Sequence, residues 1–158
     1  MKLRRALVGA VAVAGVGSAL FAGAAYAATP NDGSVIKLAS ENGLCLTVAS
    51  AATGSVAVQT QCLHAHNFVW DRTHHNIYVQ GHAGSCLASG DPNMSLFIDP
   101  CSNGRSVIDE DGLDGTDIRF RWRNVGTFAH ANGDGNPVQM ITNPGNSKAV
   151  FWDPVYQG

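Results

Sequence analysis

The sequence predicts an all-β domain on three observations. It has 18 glycines among 158 residues, only 14% of its positions are charged, and short apolar segments parted by Gly/Asn/Ser/Pro turns recur three times along it. Glycine is costly inside helices and useful at turns, so its abundance argues for many short strands rather than a helical bundle. A chain of this length and composition is expected to fold as one domain, which excludes a disordered or fibrous protein.

The first 27 residues stand apart. Lys2, Arg4 and Arg5 precede an uncharged Ala/Val/Gly/Leu run from Ala6 to Ala25, and Ala25-Tyr26-Ala27 has the small-x-small form of a signal-peptidase site. Residues 1–27 therefore read as a signal peptide, 28–34 as a short linker with Ala28 as the mature N-terminus, and 35–158 as the folded domain of a secreted protein. Such a protein keeps no membrane segment after cleavage. Removing the three leader cations from the 10 basic residues leaves 7 against 12 acidic ones, a net charge near −5. Nucleic acid is thus not an expected partner, since phosphate binding needs clustered positive charge. The one basic cluster, Arg119, Arg121 and Arg123, alternates with Phe120 and Trp122 as the solvent face of a strand would.

Four cysteines in an exported chain imply disulfides. Spacing alone leaves three pairings open. An internal repeat selects among them: Gly43-Leu44-Cys45-Leu46, Gly84-Ser85-Cys86-Leu87 and Gly135-Asn136-Pro137-Val138 each open a strand. Each is followed by an apolar strand ending in Cys62, Cys101 or Pro154. Proline replaces both cysteines together in the third unit, which pairs Cys45 with Cys62 and Cys86 with Cys101. Loops of this size contribute about 3 kcal/mol each in the chain-entropy account.

Further strands are expected at 35–39, 77–81 and 127–131, and aromatic strands at 67–70 and 119–122. Val56 and Val58 are expected to face inward and Gln59 and Gln61 outward, by the period-two rule. Three units of about 40 residues, none able to bury its apolar face alone, must share one core, and a closed barrel meets that need.

At these residues the sequence resembles the ricin B-type lectins, through Asn42-Gly43-Leu44-Cys45-Leu46, Ala57-Val58-Gln59-Thr60-Gln61-Cys62 and Asn67-Phe68-Val69-Trp70. The resemblance spans roughly residues 35–156 and implies a β-trefoil of three repeats that binds carbohydrate without catalysis. The family's Gln-x-Trp signature is here Phe-x-Trp, at Phe68 and Phe120. Carried over position by position, the implied sugar-binding residues are Gln59, Asn67, Gln139 and Trp152. The family's Asp position holds Thr47, Ala88 and Gln139 in the three repeats, so the pockets are degenerate. A loop-mediated protein-binding trefoil, such as an inhibitor or toxin accessory, is the second reading.

The run from Asp109 to Asp117 places five acids in nine positions but misses EF-hand spacing, with Leu113 where an oxygen is needed. It reads as a solvated inserted loop, dispensable for folding. His64, His66, His74 and His75 lack acidic or thiol companions at zinc-site spacing. Neither a metal nor another cofactor is expected, and no catalytic motif is present in the mature chain. The third repeat reads as truncated before its aromatic strand. That leaves an open edge at 35–39 with three outcomes: shielding by residues 155–158, weak homodimerisation through the gap, or a longer natural chain.

Overall fold

The computed structural model describes residues 33–157; the expected signal peptide, cleavage site and nearly all of the 28–34 linker lie outside them. Twelve strands form three four-stranded units. The first unit is β1 (Ser34–Ser40), β2 (Leu44–Val48), β3 (Ala57–Gln61) and β4 (Phe68–Asp71). The second is β5 (Asn76–Val79), β6 (Ser85–Ala88), β7 (Phe97–Pro100) and β8 (Ile108–Asp114). The third is β9 (Asp117–Trp122), β10 (Thr127–His130), β11 (Gln139–Ile141) and β12 (Phe151–Tyr156).

Within each unit the second and third strands form a hairpin in equivalent register: Leu46 faces Gln59, Leu87 faces Ile98, and Ala129 faces Met140. The fourth strand of each unit pairs with the first of the next, β4 with β5, β8 with β9 and β12 with β1. This is a β-trefoil, a closed barrel capped by three hairpins.

The hairpins meet on a pseudo-threefold axis through a ring of backbone bonds. Ala57 N donates to Leu96 O at 2.8 Å, Leu96 N to Val138 O at 2.8 Å, and Val138 N to Ala57 O at 2.9 Å. All three residues are fully buried. One step further out, Ile98 N donates to Ser55 O, Met140 N to Met94 O, and Gln59 N to Asn136 O. Beneath the ring, Phe68, Trp70, Phe120, Trp122 and Trp152 fill the barrel with Ile36, Leu38, Leu87 and Ile118. Trp70 meets Phe120 edge-to-face at 5.3 Å, a preferred aromatic geometry.

These registers correct the internal alignment of the third repeat. Phe128, not Pro137, occupies the place of Cys45 and Cys86, because Phe128 faces Ile141 as Cys45 faces Thr60 and Cys86 faces Asp99. The disulfides are nevertheless Cys45–Cys62 and Cys86–Cys101. The strand at Phe120 and Trp122 opens the third repeat rather than closing the second. Nor is the third repeat truncated: β12 pairs with β1 from Ile36↔Tyr156 to Ser40↔Trp152, and β4 covers the other edge of β1. Of the three outcomes expected at that edge the structure shows the shielding one, with residues 155 and 156 paired along β1.

The acidic segment is also not a dispensable loop. β8 is the fourth strand of the second repeat, with Asp109 opposite Arg121 on its ladder with β9, and its acids are met by cations from β9 and from other segments. Arg123 donates to Asp109, Arg72 forks onto Glu110 at 2.7 and 2.9 Å, and Arg119 Nε donates to the Asp111 carbonyl at 2.7 Å. Lys148 pairs with Asp114. Asp109 is held below the usual carboxylate range, chiefly by the Arg123 hydrogen bond. Arg119 does more than pair. Its guanidinium lies 5.2 Å from the Phe128 ring centroid and 5.6 Å from that of Phe151, flanked by aromatics from the two neighbouring strands. The repeat without a disulfide thus carries a cation–π cluster where the others carry a cystine.

Replacing residues 107–116 by a short Gly/Ser turn removes a barrel strand and should abolish the cooperative thermal transition, read by far-UV circular dichroism. Arg119→Lys should lower stability by about 1–2 kcal/mol, since lysine lacks the planar face and forked donors. That corresponds to a melting temperature lower by about 3–8 °C.

Asp153 on β12 is pushed above the usual carboxylate range, first by burial and then by the nearby Asp117. A carboxylate whose pKa is raised on folding costs stability once pH rises past that raised pKa, and costs none below its unfolded value. Asp153→Asn should therefore raise the melting temperature at pH 7 and leave it unchanged near pH 3, read by calorimetry at both.

Candidate functional site

The three hairpin junctions around the axis are related by symmetry, so their cross-repeat contacts can be compared position by position. Val56 bridges Phe97 at the first junction, and Val58 bridges Pro137 at the third. At the second, between repeats two and three, the bridging pair is Ser95 and Gln139. Two junctions are closed by apolar pairs. One is polar.

That polar pair lies in an open cleft of about 510 Å³ lined by Asn93, Ser95, Asn132, Asn136, Pro137 and Gln139. The volume falls within the roughly 300–1,000 Å³ usual for ligand sites. One wall is the β6–β7 turn, where Asn93 adopts a left-handed φ of 69° and its backbone N–H donates to Met140 O at 2.8 Å. The other wall is the 132–137 loop between β10 and β11, held by its own amides. Asn132 Nδ2 donates to Pro137 O at 2.9 Å, Asn136 Nδ2 to Asn132 O at 3.0 Å, and His130 Nδ1 lies 3.0 Å from Asn132 Oδ1. Among the described residues the side chains of Asn93, Ser95 and Gln139 and the Asn136 Oδ1 have no hydrogen-bond partner. The cleft therefore offers amide and hydroxyl groups of both polarities, with no ionisable group in its lining.

The expected site residues are not brought together. Gln139 stands in the cleft. Gln59 is fully buried and faces inward with Ala57, while Val56 and Val58 face outward, the reverse of the expected alternation. The hairpin register decides this, because Gln59 takes the inward place that Ile98 and Met140 hold. Its amide is used up: Nε2 donates to Ser40 Oγ at 2.6 Å, and Oε1 accepts from Gly133 N at 2.6 Å. It moors the 132–137 loop from behind rather than meeting a ligand.

Trp152 is likewise a core residue, 1% exposed, its Nε1 donating to Ala129 O at 3.1 Å. It cannot serve as a stacking platform. Asn67 lies elsewhere, donating to Gln80 Oε1 at 3.1 Å, with its own Oδ1 buried and unpartnered. Asn93 and Asn132 were missed because Asp91-Pro92-Asn93 and Asn132-Gly133 read as turns, Asn136 because Gly135-Asn136-Pro137-Val138 reads as the opening of a strand, and Ser95 because nothing local marks it. Aligning Val56-Ala57-Val58, Ser95-Leu96-Phe97 and Pro137-Val138-Gln139 would have exposed the polar exception.

A smaller cleft of about 100 Å³ lies beside the second repeat, lined among others by Gly90, Asp91, Met94, Phe97 and Arg105 and completed by Asn124 and Val125 of the third. Gly90 keeps it open, because a Cβ there would come 3.3 Å from Met94 Sδ and 3.5 Å from the Phe97 ring. Thr47, at the family's Asp position in the first repeat, is engaged with His66, whose Nδ1 lies 2.9 Å from Thr47 Oγ1. The acids of residues 109–114 are consumed by ion pairs, and among the described residues no three His, Cys, Asp or Glu side chains are placed to hold a metal. No helix of the described residues is long and apolar enough to cross a membrane.

No protein-family model and no curated protein matches this chain. Solved structures do. The agglutinin from Abrus precatorius is 16% identical with a TM-score of 0.65 over 80% of this chain and 49% of its own. An exo-beta-1,3-galactanase from Clostridium thermocellum is 15% identical with a TM-score of 0.67, over 80% of this chain and 31% of its own. This chain thus spans about half of the one and a third of the other. The designed threefold-symmetric protein ThreeFoil is 14% identical with a TM-score of 0.66, over 78% of this chain and 99% of its own. What these proteins share with the present chain is the β-trefoil fold expected from the ricin B-type resemblance.

Proposed function

We propose that this chain is a secreted, non-catalytic carbohydrate-binding module and that the Ser95–Gln139 cleft is its binding site. The observation that carries the reading is the polar exception to the threefold rule. Apolar pairs close the other two junctions, and a sequence that breaks such a local rule without gain in packing does so where function requires it. Sugar hydroxyls are donors and acceptors at once, and a primary amide offers one group of each kind on one plane. Gln139, Asn93 and Asn136 supply such groups around one opening. The fold of the Abrus agglutinin and the leader at residues 1–27 are consistent with an exported lectin-like module.

A second reading, a protein-binding trefoil acting through its loops, is favoured by one observation. Val56 and Met94 are 41% and 53% exposed beside the half-buried Phe97 at the first junction.

A glycan microarray with the secreted chain separates the two. Under the carbohydrate reading some glycans are retained, and Gln139→Ala weakens binding by about 2- to 10-fold, the scale of one or two neutral hydrogen bonds, without lowering the melting temperature. An empty array together with loss of binding to a protein partner in Met94→Ala would replace that reading with the second.

A further inference from the structure

Resting on the carbohydrate reading, we infer that the cleft selects uncharged glycans and grips them by ring-edge hydroxyls across two repeats, without aromatic stacking. Three observations lead there. The lining carries amides, one hydroxyl and Pro137, but neither a cation nor an aromatic ring. A sulfate, phosphate or carboxylate entering it would lose hydration and meet no compensating charge.

The two wall segments reinforce this. Residues 89–97 and 131–139 contain no lysine or arginine, and each carries one acid, Asp91 and Asp134, both exposed. Neither wall segment thus offers an anion a cation of its own, so an anionic glycan finds no counter-charge on either side of the opening.

Stacking is excluded by where the aromatics went. All three tryptophans of the chain, Trp70, Trp122 and Trp152, are 1% exposed and committed to the core. The aromatic nearest to a threefold-equivalent place, Phe97, stands where Gln139 stands in the third repeat and so opens onto the neighbouring junction. A sugar in the polar cleft has no ring to lie on. It is held from its edge, with Asn93 and Ser95 of repeat two on one side and Asn136 and Gln139 of repeat three on the other.

The test uses the secreted chain on immobilised neutral polysaccharides (dextran, galactan, xylan) and acidic ones (heparin, polygalacturonate), at low and high salt, with tryptophan emission followed during titration. Expected are retention on at least one neutral polysaccharide, no retention on the acidic ones, independence of salt, and an unshifted tryptophan emission. Asn93→Ala and Ser95→Ala in repeat two should each weaken binding by about 2- to 10-fold, as Gln139→Ala does in repeat three, each with an unchanged melting temperature. Gln61→Ala, at the exposed end of β3, should change nothing. Retention only on acidic polysaccharides, a shift in tryptophan emission on binding, or indifference to Asn93→Ala and Ser95→Ala would overturn the inference while leaving a sugar-binding protein. Retention on neither class would overturn the carbohydrate reading itself.

Discussion

Everything in this molecule hangs from three backbone hydrogen bonds that close on themselves. Ala57, Leu96 and Val138 each donate to the next around the axis, in a place no water reaches. A buried amide without a partner costs about 1–3 kcal/mol, so none of the three hairpins can shift along the axis without orphaning the donors and acceptors of the other two. Once the ring is set, the outer bonds from Ile98, Met140 and Gln59 follow, and with them the register of every hairpin. The barrel strands then have one way to pair. Side chains near the axis are free to vary only insofar as they respect that ring.

Much of the architecture was legible in the chain because its signals are local. Alternating apolar segments, glycine turns and paired cysteines identified an all-β domain of three repeats, and both disulfides were correctly joined. What misled was the third repeat, where no cysteine marks the register. The glycine-rich segment Gly135-Asn136-Pro137-Val138 imitates the start of a Cys strand, yet it lies in the turn of a hairpin that started at Thr127. A shift of that kind moved each later strand by one place in the unit, and so produced an apparent truncation. β8 was invisible for a different reason. Aspartate and glycine disfavour strands, and what holds β8 is its ladder with β9 together with ion pairs to Arg72, Arg119, Arg123 and Lys148, partners that only the tertiary fold brings to it.

The candidate site shows the same division. Gln139 was found because its residue type and place in the repeat both suit a polar contact. Gln59 satisfied the same criteria, but one residue of strand parity separates a solvent-facing amide from a core one, and the register is a tertiary property. Trp152 was selected as a sugar platform, whereas the barrel needs a large side chain under β10 and takes the tryptophan for that purpose. The neighbouring turn residues went unnoticed because turn chemistry and ligand chemistry draw on the same asparagines. Only comparison across the axis separates them.

The uneven distribution of cystines has a further consequence for the cleft. Its first wall, the segment from Asp91 to Ser95, falls inside the loop closed by Cys86 and Cys101. Its second wall belongs to the repeat that has no cystine, but the amide of Gln59 that moors it sits on β3, inside the loop closed by Cys45 and Cys62. Each jaw is thus tied to one cystine, the first directly and the second through the neighbouring hairpin. A reducing milieu removes the staple of the first wall and loosens the footing of the second, so the compartment's redox state bears on both sides of the cleft.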